Sequence, residues 1–294
     1  MLKKTPTPRH DFVKGLSYHG FHRVHYTVWD QNARKSNKDK NTLVCVHGVS
    51  RNGRDFDYLG QTMSEDYRVI CPDLVGRGES DHLLSKEGYD YLQYNADMNA
   101  LLARLDVPKV DWVGVSLGGI IGMFFAGLPQ SPIRKLVVVD VGPSISRDSL
   151  VKIGEYIGRA PEFRSKIEMA AYMREIYSEF YPLTDDDMKH MIKHACKRTK
   201  QGKYRLKMDP AVGDAFRDSI TVYDVDMWDI WDKISCPVLI LRGENSSFFH
   251  RDTAEEMLTR GPQSTLVEVP MAGHTPTLRS NEQVKIVQEW LAQD

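Results

Sequence analysis

The chain has 294 residues, of which 41% are hydrophobic and 27% are charged, and its formal net charge is −1. This composition suits one large α/β domain, or one domain with a sizeable insertion, and excludes a disordered or fibrous chain. The small net charge gives no reason to expect a nucleic-acid partner, and no apolar run approaches the ~20 residues that a membrane span needs.

The cysteines are Cys45, Cys71, Cys196 and Cys236, and no two of them form a CxxC pair. Three lie in or beside apolar runs, which favours buried free thiols over disulfides or a zinc site. The basic N-terminus is not followed by the apolar stretch of a secretory signal. We therefore expect a cytoplasmic protein.

Short apolar runs rich in β-branched residues alternate with helical segments, which predicts a mostly parallel sheet with helices on both faces. Several runs are apolar at nearly every position, as in strands that are covered on both sides. A last helix is expected after Ser280, which forms a capping-box pattern with Gln283. The predicted strands are residues 24–29, 42–46, 67–71, 110–115, 135–140, 237–241 and 265–269.

Residues 143–232 break this alternation and are predicted to form helices only. One of these helices begins at Thr184, an N-cap followed by three aspartates, and is expected to end at a basic cluster before Gly202. We predict that 143–232 is a helical cap, inserted between the sixth and seventh strands of a core formed by residues 1–142 and 233–294.

Ser116 stands directly between the predicted strand 110–115 and a helix-compatible run. A serine at so sharp a turn adopts a strained backbone conformation, so the residues two positions away on each side must be small. Gly114 and Gly118 meet that need. The alternatives are a glycine-rich packing turn or a phosphate loop, but the Gly-Lys-Ser/Thr of a phosphate loop is absent. The pattern predicts a nucleophilic serine.

A serine nucleophile needs a base and an oxyanion hole. Of the ten histidines, His274 follows the last predicted strand near the C-terminus, where a base is expected after a nucleophile elbow. Oxyanion donors are expected from the backbone N–H of Leu117, which follows the nucleophile, and of Val49, in the loop after an early strand. His47 in the same loop is expected to brace the turn.

Several short motifs occur in a fixed order along nearly the whole chain: His47-Gly48 and residues 72–80, 114–119, 140–143 and 273–274. With them the sequence resembles the α/β-hydrolases of the cap-bearing esterase, enol-lactonase and C–C hydrolase type. This resemblance implies an eight-stranded core in the α/β-hydrolase fold, a cap, no cofactor, and hydrolysis through an acyl-enzyme. Because residue 116 is serine and not aspartate, it does not imply dehalogenase or epoxide-hydrolase chemistry.

The sequence departs from that family pattern at the acid of the triad, which usually follows the seventh strand. Ser246 and Ser247 occupy the expected positions, and a serine carries no charge to stabilise an imidazolium. Asp140, at the end of the sixth strand, is one substitute, although it suits a structural role in the cap's entry loop equally well. Glu244 is a second, less favoured because it lies early in the turn. The third possibility is that no acid exists.

Two residues are candidates for substrate contacts. Arg51 follows the oxyanion loop, where it can meet a substrate carboxylate or fix the next helix. Trp228 belongs to a group of large cap side chains that suggest an apolar acyl pocket, although most such residues are ordinary core. The group consists of Met173, Tyr177, Phe180, Trp228 and Trp231.

His190 and His194 lie four residues apart on a predicted cap helix, a spacing that can bind zinc. Lys189 and Lys193 flank them, and no nearby glutamate completes a metalloprotease motif. We therefore predict a solvated helix face and no metal site.

The sequence thus predicts a serine hydrolase that cleaves a carboxylic ester or lactone of a small, partly apolar molecule, with Ser116, His274 and Asp140 as its catalytic residues. One alternative is a C–C bond hydrolase of dienoate-type substrates, which shares this framework. The other is a weakly active or non-catalytic ligand-binding protein on a hydrolase scaffold. Neither the substrate nor the oligomeric state follows from the sequence.

Overall fold

The computed structural model describes residues 7–31, 40–177 and 183–293. The strands of these residues are β1 (Arg9–Ser17), β2 (Gly20–Trp29), β3 (Asn41–Val46), β4 (Tyr67–Pro72), β5 (Val110–Val115), β6 (Ile133–Val139), β7 (Ser144–Ile145), β8 (Cys196–Arg198), β9 (Tyr204–Leu206), β10 (Val225–Asp226), β11 (Val238–Gly243) and β12 (Ser264–Val269). The helices are α1 (Asp57–Met63), α2 (Tyr91–Leu105), α3 (Leu117–Gly127), α4 (Arg147–Tyr156), α5 (Lys166–Ile176), α6 (Asp185–Ala195), α7 (Pro210–Ser219), α8 (Trp228–Trp231), α9 (Arg251–Met257) and α10 (Asn281–Leu291), with short 3₁₀ helices at Gly53–Phe56 and Lys86–Gly88.

Eight strands form one sheet in the order β1-β2-β4-β3-β5-β6-β11-β12. Strand β2 pairs antiparallel with β1 and β4, and the other neighbours pair in parallel. The predicted eight-stranded, mostly parallel sheet is therefore confirmed. Edge strand β1 is missing from the predicted strands because its residues are mostly polar and exposed, so it contains no apolar run.

Helices cover both faces of the sheet. In β5, Trp112 packs into the apolar cluster that includes α2 and α3, whereas Val113 packs into the opposite cluster, which includes α1 and α10. Both side chains are fully buried, and burial of such a side chain contributes roughly 1.5–3 kcal/mol. This two-sided burial explains why the central strands are apolar at nearly every position. No helix in the described part of the chain is both long enough and apolar enough to span a membrane.

The segment between β6 and β11 contains α4 to α8, but the prediction of helices only is wrong. Two small antiparallel pairs, β7 with β10 and β8 with β9, lie among the helices. Helix α6 begins after Thr184 as predicted and ends at Ala195. The basic residues beyond it form β8 and a turn in which Gly202 has φ 82°. A glycine that suits a helix end also suits a tight hairpin turn, so the sequence pattern did not separate the two.

The inserted segment has an apolar cluster of its own, which joins α5 and α6. Met169 and Met173 of α5 pack there against Met188 and Met191 of α6. The division of the chain into a core and a cap at 143–232 stays a prediction.

The carboxyl ends of the parallel strands lie along one edge of the sheet. The loop after β3 carries His47 and Val49, Ser116 follows β5, Asp140 follows β6, and His274 follows β12. Because β6 lies between β5 and β11, a residue after β6 is central among these loops. The sheet order therefore gathers side chains that lie far apart in the sequence.

The loop after β3 is braced by His47, which is buried. Its Nε2 accepts a hydrogen bond of 2.9 Å from the Leu74 N–H, and its Nδ1 lies 2.7 Å from the Gly48 carbonyl oxygen. These partners require the neutral ring with its proton on Nδ1. Burial lowers the pKa of His47 to about 4, so the ring stays neutral at pH 7. The predicted turn-bracing role is confirmed.

The His47→Gln variant is expected to lose less stability than the wild type as the solution is acidified. In the wild type, the pKa of His47 is about 4 in the folded protein against an ordinary value of 6.5. Between these pH values the unfolded chain binds a proton that the folded chain excludes. The free energy of unfolding therefore decreases by up to about 3 kcal/mol as the pH is lowered through this range. Urea unfolding from about pH 7.5 to about pH 4.5 measures this. If the free energies of unfolding of the two proteins differ by the same amount at every pH, His47 is not the buried neutral histidine that we assign.

Candidate active site

Ser116 lies between β5 and α3 with φ 50° and ψ −114°, a conformation that L-residues rarely adopt. Glycines allow the chain to turn this sharply. A Cβ on Gly114 would lie 2.2 Å from the Gly118 carbonyl oxygen, and a Cβ on Gly118 would lie 2.0 Å from that of Val46. The Trp112 indole donates a hydrogen bond of 3.0 Å to the Gly118 carbonyl. The local geometry is that of a nucleophile elbow.

His274 lies in the loop after β12 and is almost fully buried. Its Nδ1 is 2.5 Å from Oδ2 of Asp140, whose side chain is inaccessible to solvent. The other carboxylate oxygen, Oδ1, accepts a hydrogen bond of 2.8 Å from the Gly243 N–H. Asp140 itself leaves β6 with φ 53°. This carboxylate orients the imidazole with its Nδ1–H toward Asp140 and its Nε2 on the opposite edge of the ring.

Of the three possibilities for the acid, the structure brings Asp140 to His274 and directs Glu244 elsewhere. Glu244 is exposed, and its Oε2 accepts a hydrogen bond of 2.9 Å from a backbone N–H in the turn after β12. Ser247 is exposed as well. Ser246 is buried, and its hydroxyl donates a hydrogen bond of 2.6 Å to Oδ2 of Asp140. The serine at the usual acid position thus helps to hold a carboxylate that comes from the neighbouring strand.

Phe248 is part of this site and was missed by the sequence analysis. Its ring centroid lies 4.2 Å from that of His274, and its backbone N–H donates to the Ser246 hydroxyl at 3.3 Å. A phenylalanine pair after two serines is equally typical of ordinary core, so the sequence carried no signal that separates Phe248 from Phe249. The placement of this loop beside His274 makes the distinction.

The backbone N–H groups of Leu117 and Val49 were predicted to form an oxyanion hole, and both residues line a cavity that also contains Ser116. Leu117 is the first residue of α3, so its N–H has no acceptor within the helix. The Gly48 carbonyl is bound by His47, and the C=O and N–H of a trans peptide point in opposite directions. The histidine therefore fixes the direction of the Val49 N–H.

Arg77 holds the other side of Val49. Its guanidinium is buried and donates hydrogen bonds to the Val49 carbonyl oxygen at 3.0 Å, the Val75 carbonyl oxygen at 2.8 Å and the Tyr94 hydroxyl at 2.9 Å. Through Arg77, the segment 72–80 therefore helps to fix the backbone at Val49.

Ser116 lines two cavities. One, of about 90 Å³, contains His274 and Val49 together with polar side chains. The other, of about 350 Å³, contains Leu117 and Phe248 and is lined mainly by apolar side chains. The polar residues of the first cavity include Ser50, Arg51, Asp55, Tyr177 and Arg279. The apolar residues of the second include Ile120, Ile145, Leu150, Val212 and Phe216.

Arg51 lines the first cavity and is already paired. Its guanidinium makes two hydrogen bonds to Asp55, of 2.7 and 2.6 Å, and its central carbon lies 5.0 Å from the Tyr177 ring centroid. Although burial opposes the charged form, Asp55 and Tyr177 raise the pKa of Arg51. Arg51 therefore braces the start of the next helix, which is one of the two roles considered from the sequence, and it also lines the cavity. Contact with a substrate carboxylate stays a prediction.

Trp228 lines neither of these cavities. Trp228 is the first residue of α8, and its ring centroid lies 4.7 Å from the guanidinium carbon of Arg260. Among the other large cap residues, Tyr177 lines the first cavity and Trp231 belongs to the core cluster. Phe180 lies outside the described residues. This placement gives Trp228 no support as a substrate-binding residue.

Arg279 is a second cation of the first cavity, and the sequence analysis missed it. Its side chain is 17% exposed, and its Nε lies 2.8 Å from Oδ1 of Asp187 at the start of α6. Its Nη1 is buried and has no hydrogen-bond partner among the described residues. A buried guanidinium nitrogen of this kind is a site for an anionic group.

Comparison with known proteins agrees with this geometry. A family model described as alpha/beta hydrolase fold matches residues 41–278. The chain is 39% identical over 292 residues to the 3-hydroxybutyrate-oligomer hydrolase of Cupriavidus necator, which covers 97% of this chain and 98% of that protein. Two solved structures superpose on 98% of this chain and 99% of their own: a Rickettsia typhi protein, with a TM-score of 0.88 and 27% identity, and an alpha/beta hydrolase from Novosphingobium aromaticivorans, with a TM-score of 0.85 and 29% identity. The chain therefore belongs to the α/β-hydrolase fold family, as its motifs predicted.

Proposed function

We propose that this hydrolase is a serine esterase that cleaves short anionic oligoesters of 3-hydroxy acids through an acyl-enzyme on Ser116. The observation that carries the proposal is the 2.5 Å contact between Nδ1 of His274 and Oδ2 of Asp140, in a site that also holds Ser116 at a strained turn. A buried carboxylate here supports full catalysis because it stabilises the imidazolium that forms when the histidine takes a proton.

In the first half of the reaction, Ser116 Oγ attacks the ester carbonyl while Nε2 of His274 takes the hydroxyl proton. The carbonyl oxygen becomes negatively charged and accepts hydrogen bonds from the N–H groups of Val49 and Leu117. Each such donor contributes on the order of 10²–10³ in kcat. The intermediate then expels the alcohol, which receives the proton from His274 and leaves an ester between the substrate acid and Ser116.

In the second half, a water molecule gives its proton to His274 and attacks the acyl-enzyme carbonyl. The same two backbone N–H groups stabilise the second oxyanion. Collapse of this intermediate returns the proton to Ser116 Oγ and releases the free acid. A lactone would pass through the same steps, with acid and alcohol released as one molecule.

The choice of substrate has two supports. The Cupriavidus necator relative is named a 3-hydroxybutyrate-oligomer hydrolase. An oligoester of 3-hydroxy acids ends in a free carboxylate, and in the dimer a short carbon link separates this carboxylate from the ester oxygen. Arg279 shares the small cavity with Ser116 and has a buried Nη1 without a hydrogen-bond partner among the described residues. The larger apolar cavity suits the methyl-bearing chain of the oligomer.

The other functions considered have weaker support. C–C bond hydrolysis would use the same Ser116 and His274, and no observation favours it over ester hydrolysis. A non-catalytic ligand-binding role was considered because the usual acid is missing, and the position of Asp140 weakens that reason. The cytoplasmic location stays a prediction.

Replacing Ser116 with alanine tests the proposed nucleophile. Release of 3-hydroxybutyrate from its dimer should fall by on the order of 10⁶, because the remaining residues cannot form the acyl-enzyme. In the wild type, a p-nitrophenyl ester should leave an acyl group on Ser116 that mass spectrometry detects after acid quenching. Ser247→Ala, which changes an exposed serine, is the matched control and should retain wild-type turnover. Undiminished turnover in Ser116→Ala would refute the mechanism.

The Asp140→Asn variant tests the acid. Asparagine has the shape of aspartate but no charge and favours the wrong imidazole tautomer, so kcat should fall by on the order of 10⁴. The matched control is Glu244→Gln, which alters an exposed carboxylate whose Oε2 accepts a hydrogen bond from the Met271 N–H and should leave kcat nearly unchanged. Initial rates on the dimer measure both. Small losses of similar size in the two variants would remove Asp140 from the mechanism.

The Arg279→Gln variant tests recognition of the substrate carboxylate. The measured quantity is the ratio of kcat/KM for the 3-hydroxybutyrate dimer to that for its methyl ester. Loss of hydrogen bonds between charged groups should lower this ratio by about 10–100-fold. Arg279→Lys keeps the charge and should give an intermediate ratio. The control Arg251→Gln changes an arginine whose side chain is 65% exposed. An unchanged ratio in Arg279→Gln would rule out this role and leave the acyl-enzyme mechanism intact.

A further inference from the structure

His190 and His194 do not form the solvated face predicted from the sequence, and that prediction is wrong. They lie on α6 and face Asp57, the first residue of α1. The side chains are 23%, 13% and 11% exposed in the order His190, His194, Asp57. Helix α6 packs against the start of α1 here, so a cap helix meets the core through two imidazoles and a carboxylate.

The three side chains have nearly the spacing of a metal site. Nε2 of His190 lies 3.4 Å and Nε2 of His194 lies 3.8 Å from Oδ2 of Asp57. All three atoms lie within 4.8 Å of one another. In a tetrahedral zinc site with bonds of about 2.0–2.1 Å, ligand atoms are about 3.4 Å apart. A small rotation of the imidazoles would therefore bring all three atoms into the first coordination sphere of one ion.

We propose that Asp57, His190 and His194 bind one divalent transition-metal ion, preferentially Zn²⁺, with water as the fourth ligand. Two histidines four residues apart on a helix present both rings to the same ion, and a carboxylate oxygen completes a donor set that suits zinc. The site is separate from Ser116, His274 and Asp140, so it stands or falls independently of the proposed esterase function.

Both histidines direct Nε2 toward Asp57, and this is the nitrogen that would bind the ion. A metal ion binds a ring nitrogen that carries no proton. Nε2 of His190 now donates a hydrogen bond of 2.9 Å to the Arg54 carbonyl oxygen, so binding requires His190 to give up this bond and to carry its proton on Nδ1.

Arg54 is the competing cation. Its Nε donates to Oδ1 of Asp57 at 2.7 Å, and its Nη2 donates to Oδ2 at 2.6 Å. Binding of the ion requires Nη2 to release Oδ2, while the bond from Nε to Oδ1 can remain. Lys193 and Lys207 add positive charge near His194. We therefore expect affinity below that of a four-ligand structural zinc site.

An ion at this place would join the cap to the core beside the proposed active site. Phe56, directly before Asp57, and Met191, between the two histidines on α6, both line the small cavity that contains Ser116. A metal bridge would fix α6 to the start of α1 and stabilise the folded protein, because the three ligands come together only in the folded chain.

The test uses the full-length protein after removal of metal with EDTA. Calorimetric titration with ZnCl₂ should give one ion per chain, and the melting temperature should rise with zinc concentration. His190→Gln and His194→Gln should each weaken zinc binding by at least about tenfold and abolish most of the rise. His19→Gln, which replaces an exposed histidine in the β1–β2 turn, is the matched control and should bind zinc as the wild type does.

A measurement on the wild type alone covers the case in which a glutamine variant fails to fold. Zinc should protect His190 and His194, and not His19, from diethyl pyrocarbonate, with the modified residues read by mass spectrometry. Protection confined to other histidines would overturn the proposal. The same conclusion would follow from zinc binding that persists in the His190→Gln/His194→Gln double variant, or from a wild-type protein that binds no zinc.

Discussion

The contact between His274 and Asp140 is the interaction around which the rest of the site is arranged. Its two residues lie 134 positions apart in the chain and 2.5 Å apart in the structure. The contact exists because β6 lies between the nucleophile strand β5 and strand β11, so a carboxylate after β6 reaches the histidine loop beyond β12. A buried carboxylate is stable only where its charge is paired or hydrogen-bonded. Gly243 and Ser246 supply those hydrogen bonds and hold the Asp140 carboxylate in place.

Buried hydrogen bonds also fix the backbone around Ser116. Several main-chain groups must point into a small space, and each is held by a buried side chain that does not itself react. His47 orients the Gly48–Val49 peptide and Arg77 binds the next carbonyl. The burial that keeps His47 neutral also makes this loop sensitive to acid. Stability and proposed catalysis therefore depend on one set of buried polar contacts.

The inserted segment touches the core through charges at two places near Ser116. Arg279 of the histidine loop meets Asp187 of α6, and Asp57 of α1 meets the two histidines of the same helix. Arg279 lines the small cavity itself, whereas Asp57 and the two histidines flank Phe56 and Met191, which line it. An anionic substrate and a metal ion would act on different ends of one helix. The proposed substrate recognition and the proposed metal site therefore both depend on the position of α6 relative to the core.

Much of the fold was predictable because its strands and helices leave local patterns of apolar residues in the sequence. The central strands are buried on both faces and so are apolar throughout, whereas β1 is an exposed edge strand and left no such pattern. The hairpin of β8 and β9 was mistaken for a helix end, since glycine and basic residues occur in both. The elbow around Ser116 was readable for a steric reason: no side chain fits at Gly114 or Gly118.

The sequence by itself therefore determined the family. It also singled out Ser116 as the proposed nucleophile and His274 as its proposed base, because these predictions depend on short motifs and on chain order. It left three possibilities for the acid, namely Asp140, Glu244 or no acid at all, because the identity of the partner depends on which strands are neighbours. Tertiary structure decided that Asp140 reaches His274, that Ser246 supports it, and that His190 and His194 face Asp57. Contacts of this kind join residues from distant parts of the chain, and no local pattern of residue types encodes them.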